Sequence, residues 1–130
     1  MKSIKIVLFL FLLTCLGLSA QKTNTKHGPE IVFENTRYDY GEILVGSPGR
    51  CEFKFRNNGK LPLVLTNVQA SCGCTVPQWS KEPVQAGKMG VIKVKYNTRI
   101  PGTFLKTITV SSTAKNSMVV LSIKGKVTLK

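Results

Sequence analysis

In Cys51-Glu52-Phe53-Lys54-Phe55-Arg56 every second residue is apolar and the residues between are charged. Side chains along a β-strand point alternately to opposite faces, so this period of two puts Cys51, Phe53 and Phe55 on a buried face and Glu52, Lys54 and Arg56 in water. The pattern returns twice. Ile92, Val94 and Tyr96 alternate with Lys93 and Lys95, and Val119, Leu121, Ile123 and Val127 stand in phase against Ser122, Lys124, Lys126 and Thr128. Shorter apolar runs at Ile31–Phe33 and Tyr38–Ile43 extend the series, and Gly46-Ser47-Pro48-Gly49, Pro83 to Gly90 and Pro101-Gly102 supply the turns. Asn57-Asn58-Gly59 reads as a hairpin turn of positive φ, returning into a strand from Leu61 to Val68 with Leu61, Leu63 and Leu65 inward. From Thr103 to Ser111, Phe104, Ile108 and Val110 keep phase and Lys106 breaks it, which points to an edge position or a bulge. No ten-residue stretch beyond residue 20 has a helical period. The pattern predicts an all-β sandwich of about seven short antiparallel strands.

The amino-terminal segment follows other rules. Lys2 and Lys5 precede an apolar run from Ile6 to Leu13, and small residues lead up to Gln21, the three zones of a secretory signal. The apolar stretch to Leu18 is broken by Thr14 and Gly17 and falls short of the ~20 residues a membrane-spanning helix needs. Cleavage is expected between Ala20 and Gln21, although this leaves Leu18 where a small residue is preferred; a cut after Ser19 would place Gly17 there. Cys15 lies inside the apolar run after Thr14, a poor setting for lipidation. The chain therefore divides into a signal peptide at 1–20, a polar tether at 21–30 and one domain at 31–130, and its expected destination is the periplasm or the cell surface.

Nineteen Lys and Arg against six Asp and Glu give a net charge of +13, and loss of residues 1–20 removes two lysines and no acid, leaving +11. Such a field attracts polyanions, and export excludes nucleic acid as the natural partner. Lys93, Lys95, Lys106, Lys124 and Lys126 form a basic patch if they share one outer sheet; solubility alone accounts for the same residues if they do not.

Chemistry is sparse. The single histidine, His27, sits in the tether, and Glu30, Glu34, Asp39, Glu42, Glu52 and Glu82 are too scattered to form a carboxylate pair, so no catalytic residue is assigned and the chain is not read as an enzyme. Asp39 suits turn hydrogen bonding. No phosphate loop or nucleophile elbow occurs, and no cofactor is called for. Export leaves Cys51, Cys72 and Cys74, three thiols that cannot all pair within one chain. Cys51 belongs to the buried face. Cys72-Gly73-Cys74 can close a disulfide only if the chain turns between its cysteines, which Gly73 permits. A loop so short adds little to stability, and a pair of this kind serves as a structural staple, as a thiol-redox pair, or as a soft copper(I) site. Zinc, with four ligands to fill, is not assigned. Trp79 is read as a core plug in preference to an exposed aromatic.

Taken together, Tyr40-Gly41-Glu42-Ile43 with Gly46, Phe55-Arg56-Asn57-Asn58-Gly59 with Pro62-Leu63, and Ala70-Ser71-Cys72-Gly73-Cys74-Thr75-Val76-Pro77 carry a resemblance. So do Gly87 with Gly90, Gly102-Thr103-Phe104 and Ile123-Lys124-Gly125-Lys126-Val127. Over roughly residues 31–128 the chain resembles the bacterial exported domain-of-unknown-function family fifteen seventy-three, related to the abnormal-spindle and Hydin-like domains. The resemblance implies an immunoglobulin-like sandwich and export, and it implies no activity. Cys51 stands outside the family motif. The residues and the resemblance lead to an exported, non-enzymatic module that binds a protein partner or an anionic envelope polymer.

Overall fold

The period of two survives in three dimensions. The computed structural model describes residues 28–130, and the signal segment, the Ala20–Gln21 junction and His27 lie outside the described residues. Eight strands follow in chain order: β1 (Ile31–Phe33), β2 (Arg37–Leu44), β3 (Arg50–Asn57), β4 (Leu65–Ala70), β5 (Thr75–Gln78), β6 (Met89–Tyr96), β7 (Gly102–Ser112) and β8 (Met118–Thr128). They form two four-stranded sheets, one ordered β1-β3-β6-β5 and the other β2-β8-β7-β4. The architecture is an all-β sandwich, and no helix among the described residues is long and apolar enough to cross a membrane.

The inward phases of the two sheets make one core. Phe53, Phe55, Ile92 and Val94 pack with Ile108, Val110, Leu121 and Ile123, all but excluded from water. Burial of each such side chain stabilises the fold by about 1.5–3 kcal/mol. Eight of them outweigh any contribution from a cross-link that closes a very short loop.

Several local readings are revised by the tertiary structure. The pairing of β2 with β8 is parallel, whereas the other pairings are antiparallel as expected. No hairpin joins β3 to β4, because β3 lies in the first sheet and β4 pairs with β7 in the second. The segment Asn57-Asn58-Gly59 begins a crossing between sheets, and neither Asn57 nor Gly59 has positive φ.

Asn57 is fully buried. Its Nδ2 donates to the carbonyls of Leu61 (2.7 Å) and Val84 (2.9 Å), and its Oδ1 accepts from the N–H groups of Gly59 (3.0 Å) and Glu30 (3.3 Å). Three chain segments thus close on one side chain. Gly59 is needed for a different reason than a turn, since a Cβ there would meet Pro29 Cα at 2.6 Å and Glu30 N at 2.8 Å. Leu61, expected inward, is exposed on this crossing, while Leu63 and Leu65 are buried. Lys106 lies on no bulge, since β7 keeps an unbroken register to β8, but within this inner strand it does hold the expected edge position. Its tolerance for a lysine has a simple cause. The β4 pairing covers β7 only from Ile108 onward, so Lys106 has a strand on one side alone.

Candidate binding face and the Cys72–Cys74 corner

Five cations share the outer face of the first sheet. On β3, Arg50, Lys54 and Arg56 are exposed in the phase opposite Phe53 and Phe55; on β6, Lys93 and Lys95 are exposed opposite Ile92 and Val94. The register sets Arg50 against Lys95, Glu52 against Lys93 and Lys54 against Val91. Residues two apart in a strand project about 6.6–6.8 Å from one another, and neighbouring strands lie about 4.8 Å apart, so these charges form a lattice held by the backbone. Glu52 is the one acid within it. Among the described residues the only ion pair is Lys124 with Asp39, 3.8 Å apart on the other sheet, so none of the five is neutralised. An open cleft of about 490 Å³ runs between Arg50, Glu52, Val76, Gln78, Lys93 and Lys95. Exposed apolar side chains border the cations, with Val76 53 %, Met89 45 % and Val32 41 % accessible.

The patch expected from Lys93, Lys95, Lys106, Lys124 and Lys126 does not exist as one surface. Lys124 and Lys126 lie on β8 of the opposite sheet, and Lys106 shares the inward phase of Phe104 and Ile108. Arg50, Lys54 and Arg56 were the missing members. Their signal was present in the alternation of β3, but which strands are neighbours decides which charges meet.

The Cys72–Cys74 corner carries the chain from β4 in one sheet to β5 in the other. A disulfide joins Cys72 to Cys74, with Cα atoms 5.3 Å apart. The turn is closed by Thr75 N–H donating to Cys72 C=O at 3.3 Å and anchored to β6 by Asn97 N–H donating to Cys74 C=O at 2.8 Å. The N–H of Cys74 donates to Cys72 Sγ at 3.3 Å, and the buried Thr75 hydroxyl lies within 3.9 Å of Cys72 Sγ and 3.8 Å of Cys74 Sγ. Gly73 is exposed, its φ is outside the left-handed region, and a Cβ there would meet nothing within 4 Å. Its role is therefore openness, not an unusual backbone conformation. Cys74, Gly73, Arg50, Lys95 and Arg99 line a second open cleft of about 610 Å³.

Cys51 is apart from this pair: free, buried on β3, and with its thiol pKa pushed up by burial. The neighbouring Tyr40 hydroxyl donates to Gly49 C=O at 2.8 Å, and its pKa is raised chiefly by burial and also by the thiol beside it. Trp79 packs half-buried against the core, with its indole N–H enclosed and unpartnered among the described residues. Asp39 accepts the Gly41 N–H at 2.8 Å, the local turn bond expected of it.

Comparison with known proteins follows the fold. Residues 31–127 match the model of a family described as protein of unknown function. A protein of unknown function from Porphyromonas gingivalis W83 superposes with a TM-score of 0.70 at 12 % identity, over 83 % of this chain and 51 % of that one, so the chain spans about half its length. The ASH/PapD-like domain 7 of human CEP192 gives 0.67 at 6 % identity, over 79 % of this chain and 88 % of that domain. The CsuC–CsuE chaperone and tip adhesion subunit complex of Acinetobacter baumannii gives 0.55 at 10 % identity, over 74 % and 56 % of the respective chains. At these identities the fold is what is shared. No curated protein is significantly similar in sequence.

Proposed function

The chain belongs to the DUF1573 family, and from that premise we propose that this member is an exported binding module whose basic sheet face holds an extended acidic segment of a protein partner. One observation carries the reading: five cations without ion-pair partners stand on a rigid sheet face bordered by exposed Val32, Val76 and Met89. A bare phosphate polymer would satisfy the charges and leave those side chains in water. An extended peptide with acidic residues on one phase and apolar residues on the other uses both. The fold supports the same reading, since CsuC was solved in complex with a protein subunit. The second cysteine-rich reading, copper(I) binding, loses its ligands while Cys72 and Cys74 are joined.

The test compares three probes by fluorescence anisotropy at two salt concentrations: a peptide of alternating Glu and Val, the same peptide with Ser for Val, and poly(glycerol phosphate). The Glu/Val peptide should bind most tightly and weaken with salt, because exposed charges are screened beyond about 8 Å at physiological ionic strength. Lys54→Glu, Lys93→Glu, Lys95→Glu together should reduce binding at least tenfold, and Lys115→Glu, Lys126→Glu should change it little. Equal binding of the polymer would replace the protein partner with an envelope polymer. Equal loss in both sets of variants would show that overall charge, not this face, binds.

A further inference from the structure

The corner between the sheets has a chemical asymmetry that a simple staple does not need. Cys72 Sγ receives the Cys74 N–H at 3.3 Å, whereas the sulfur-bearing residue that lines the open cleft, with Arg50, Lys95 and Arg99, is Cys74. Gly73 leaves that approach without a side chain. We propose that the Cys72–Cys74 disulfide is an exchange site for thiols of a protein or peptide, in which Cys74 Sγ is attacked and Cys72 Sγ is the leaving group.

The step balances as an ordinary thiol–disulfide exchange. A substrate thiolate enters the cleft and forms a bond to Cys74 Sγ, the Cys72–Cys74 bond breaks, and its electron pair stays on Cys72 Sγ. A second thiolate of the same substrate then displaces Cys74 Sγ. The substrate dithiol is oxidised to a disulfide, and the protein disulfide is reduced to two thiols.

Three features of the corner favour this direction. A thiolate forming on Cys72 finds the Cys74 N–H already in place, the donor that distinguishes the two sulfurs, while the Thr75 hydroxyl, 3.9 Å from Cys72 Sγ and 3.8 Å from Cys74 Sγ, can stabilise an anion on either. Arg50, Lys95 and Arg99 raise the local concentration of thiolate over neutral thiol in the cleft. The fold also tolerates reduction, because the bond spans two residues and the core beside it is complete. The site shares Arg50 and Lys95 with the proposed binding face, but the exchange requires nothing bound there.

The purified protein, with its disulfide formed, is mixed with excess glutathione, which is anionic, or with neutral mercaptoethanol. The reaction is stopped by acid, new thiols are alkylated, and the adducts are mapped by mass spectrometry. The mixed disulfide is expected on Cys74 with the alkyl group on Cys72. Arg99→Gln should slow exchange with glutathione about three- to tenfold and slow mercaptoethanol, whose thiolate carries a single charge, distinctly less, a charge selectivity that a merely structural role would not produce. Thr75→Val should slow both. Buried Cys51 reports on folding in the same sample, since its alkylation would mean that exchange followed unfolding. Adducts on Cys72, adducts shared equally between the two sulfurs, or exchange seen only together with Cys51 alkylation would each overturn the assignment. A synthetic peptide with two cysteines should emerge oxidised in one-to-one amount with reduced protein; failure of that transfer would limit the site to monothiol capture and overturn the dithiol step.

Discussion

Replacing Asn57 with Ala should destabilise the fold more than any other single loss of a polar side chain among the described residues. The side chain holds four backbone groups from three segments: Glu30 and Gly59 N–H, and Leu61 and Val84 C=O. The bond to Gly59 is fully buried, and a buried group left unpaired costs about 1–3 kcal/mol. The three part-buried partners regain some water, so each contributes about 0.5–1 kcal/mol, and the total is about 2.5–6 kcal/mol. That is a large share of the roughly 5–15 kcal/mol that holds a domain of this kind folded. The loss is read from urea melts followed by Trp79 fluorescence. Asn57→Asp sharpens the test because it keeps the shape and turns the donor into an acceptor facing two carbonyls. Its carboxyl is expected to titrate above the ordinary carboxylate range in the folded state. Stability of this variant should then be highest at low pH and fall as pH rises through the folded pKa, the direction that linkage requires when the folded state binds the proton more tightly. A loss below about 1 kcal/mol for Asn57→Ala, or an Asn57→Asp variant that gains stability between pH 5 and pH 8, would refute the hub.

Phe53→Asp should abolish stable folding while Lys54→Asp stays within about 0.5 kcal/mol of wild type, because one places an unpaired carboxylate in the core and the other changes a solvated charge; equal shifts in a denaturant midpoint would contradict the β3 phase. Cys51, whose thiol pKa is raised by burial, should make stability decline with rising pH from about 8.5, the ordinary thiol value, because the folded state keeps the proton that the unfolded chain releases. Cys51→Ala should flatten that decline between pH 8.5 and 9.5 in melts at fixed ionic strength, and an unchanged slope would remove Cys51 as its source. The exported protein should begin at Gln21 or one residue earlier, and intact-mass measurement showing Met1 retained or a lipid on Cys15 would sink the export assignment.

The sequence by itself determined the three strands with the clearest alternation and their buried phases. Alternation at Cys51 to Arg56, Ile92 to Tyr96 and Val119 to Val127 is a local property, since a strand's side chains change face at every residue whatever lies beside it. Pairing of Cys72 with Cys74 was also within reach, because a bond between residues two apart depends on one turn. Which strands become neighbours was decided elsewhere. That choice moved Lys124 and Lys126 to the opposite sheet from Lys93 and Lys95, brought Arg50, Lys54 and Arg56 into their place, and sent the chain after β3 across the sandwich instead of back along it. Asn57 shows the reason most directly. As a residue type it suits a turn, and in the sequence it stands before Asn58 and Gly59. Its burial and its four partners come from segments up to 27 positions away, whose approach depends on how two sheets pack. Local sterics are written into each short segment, whereas the polar network and the charged face arise only from contacts between distant segments.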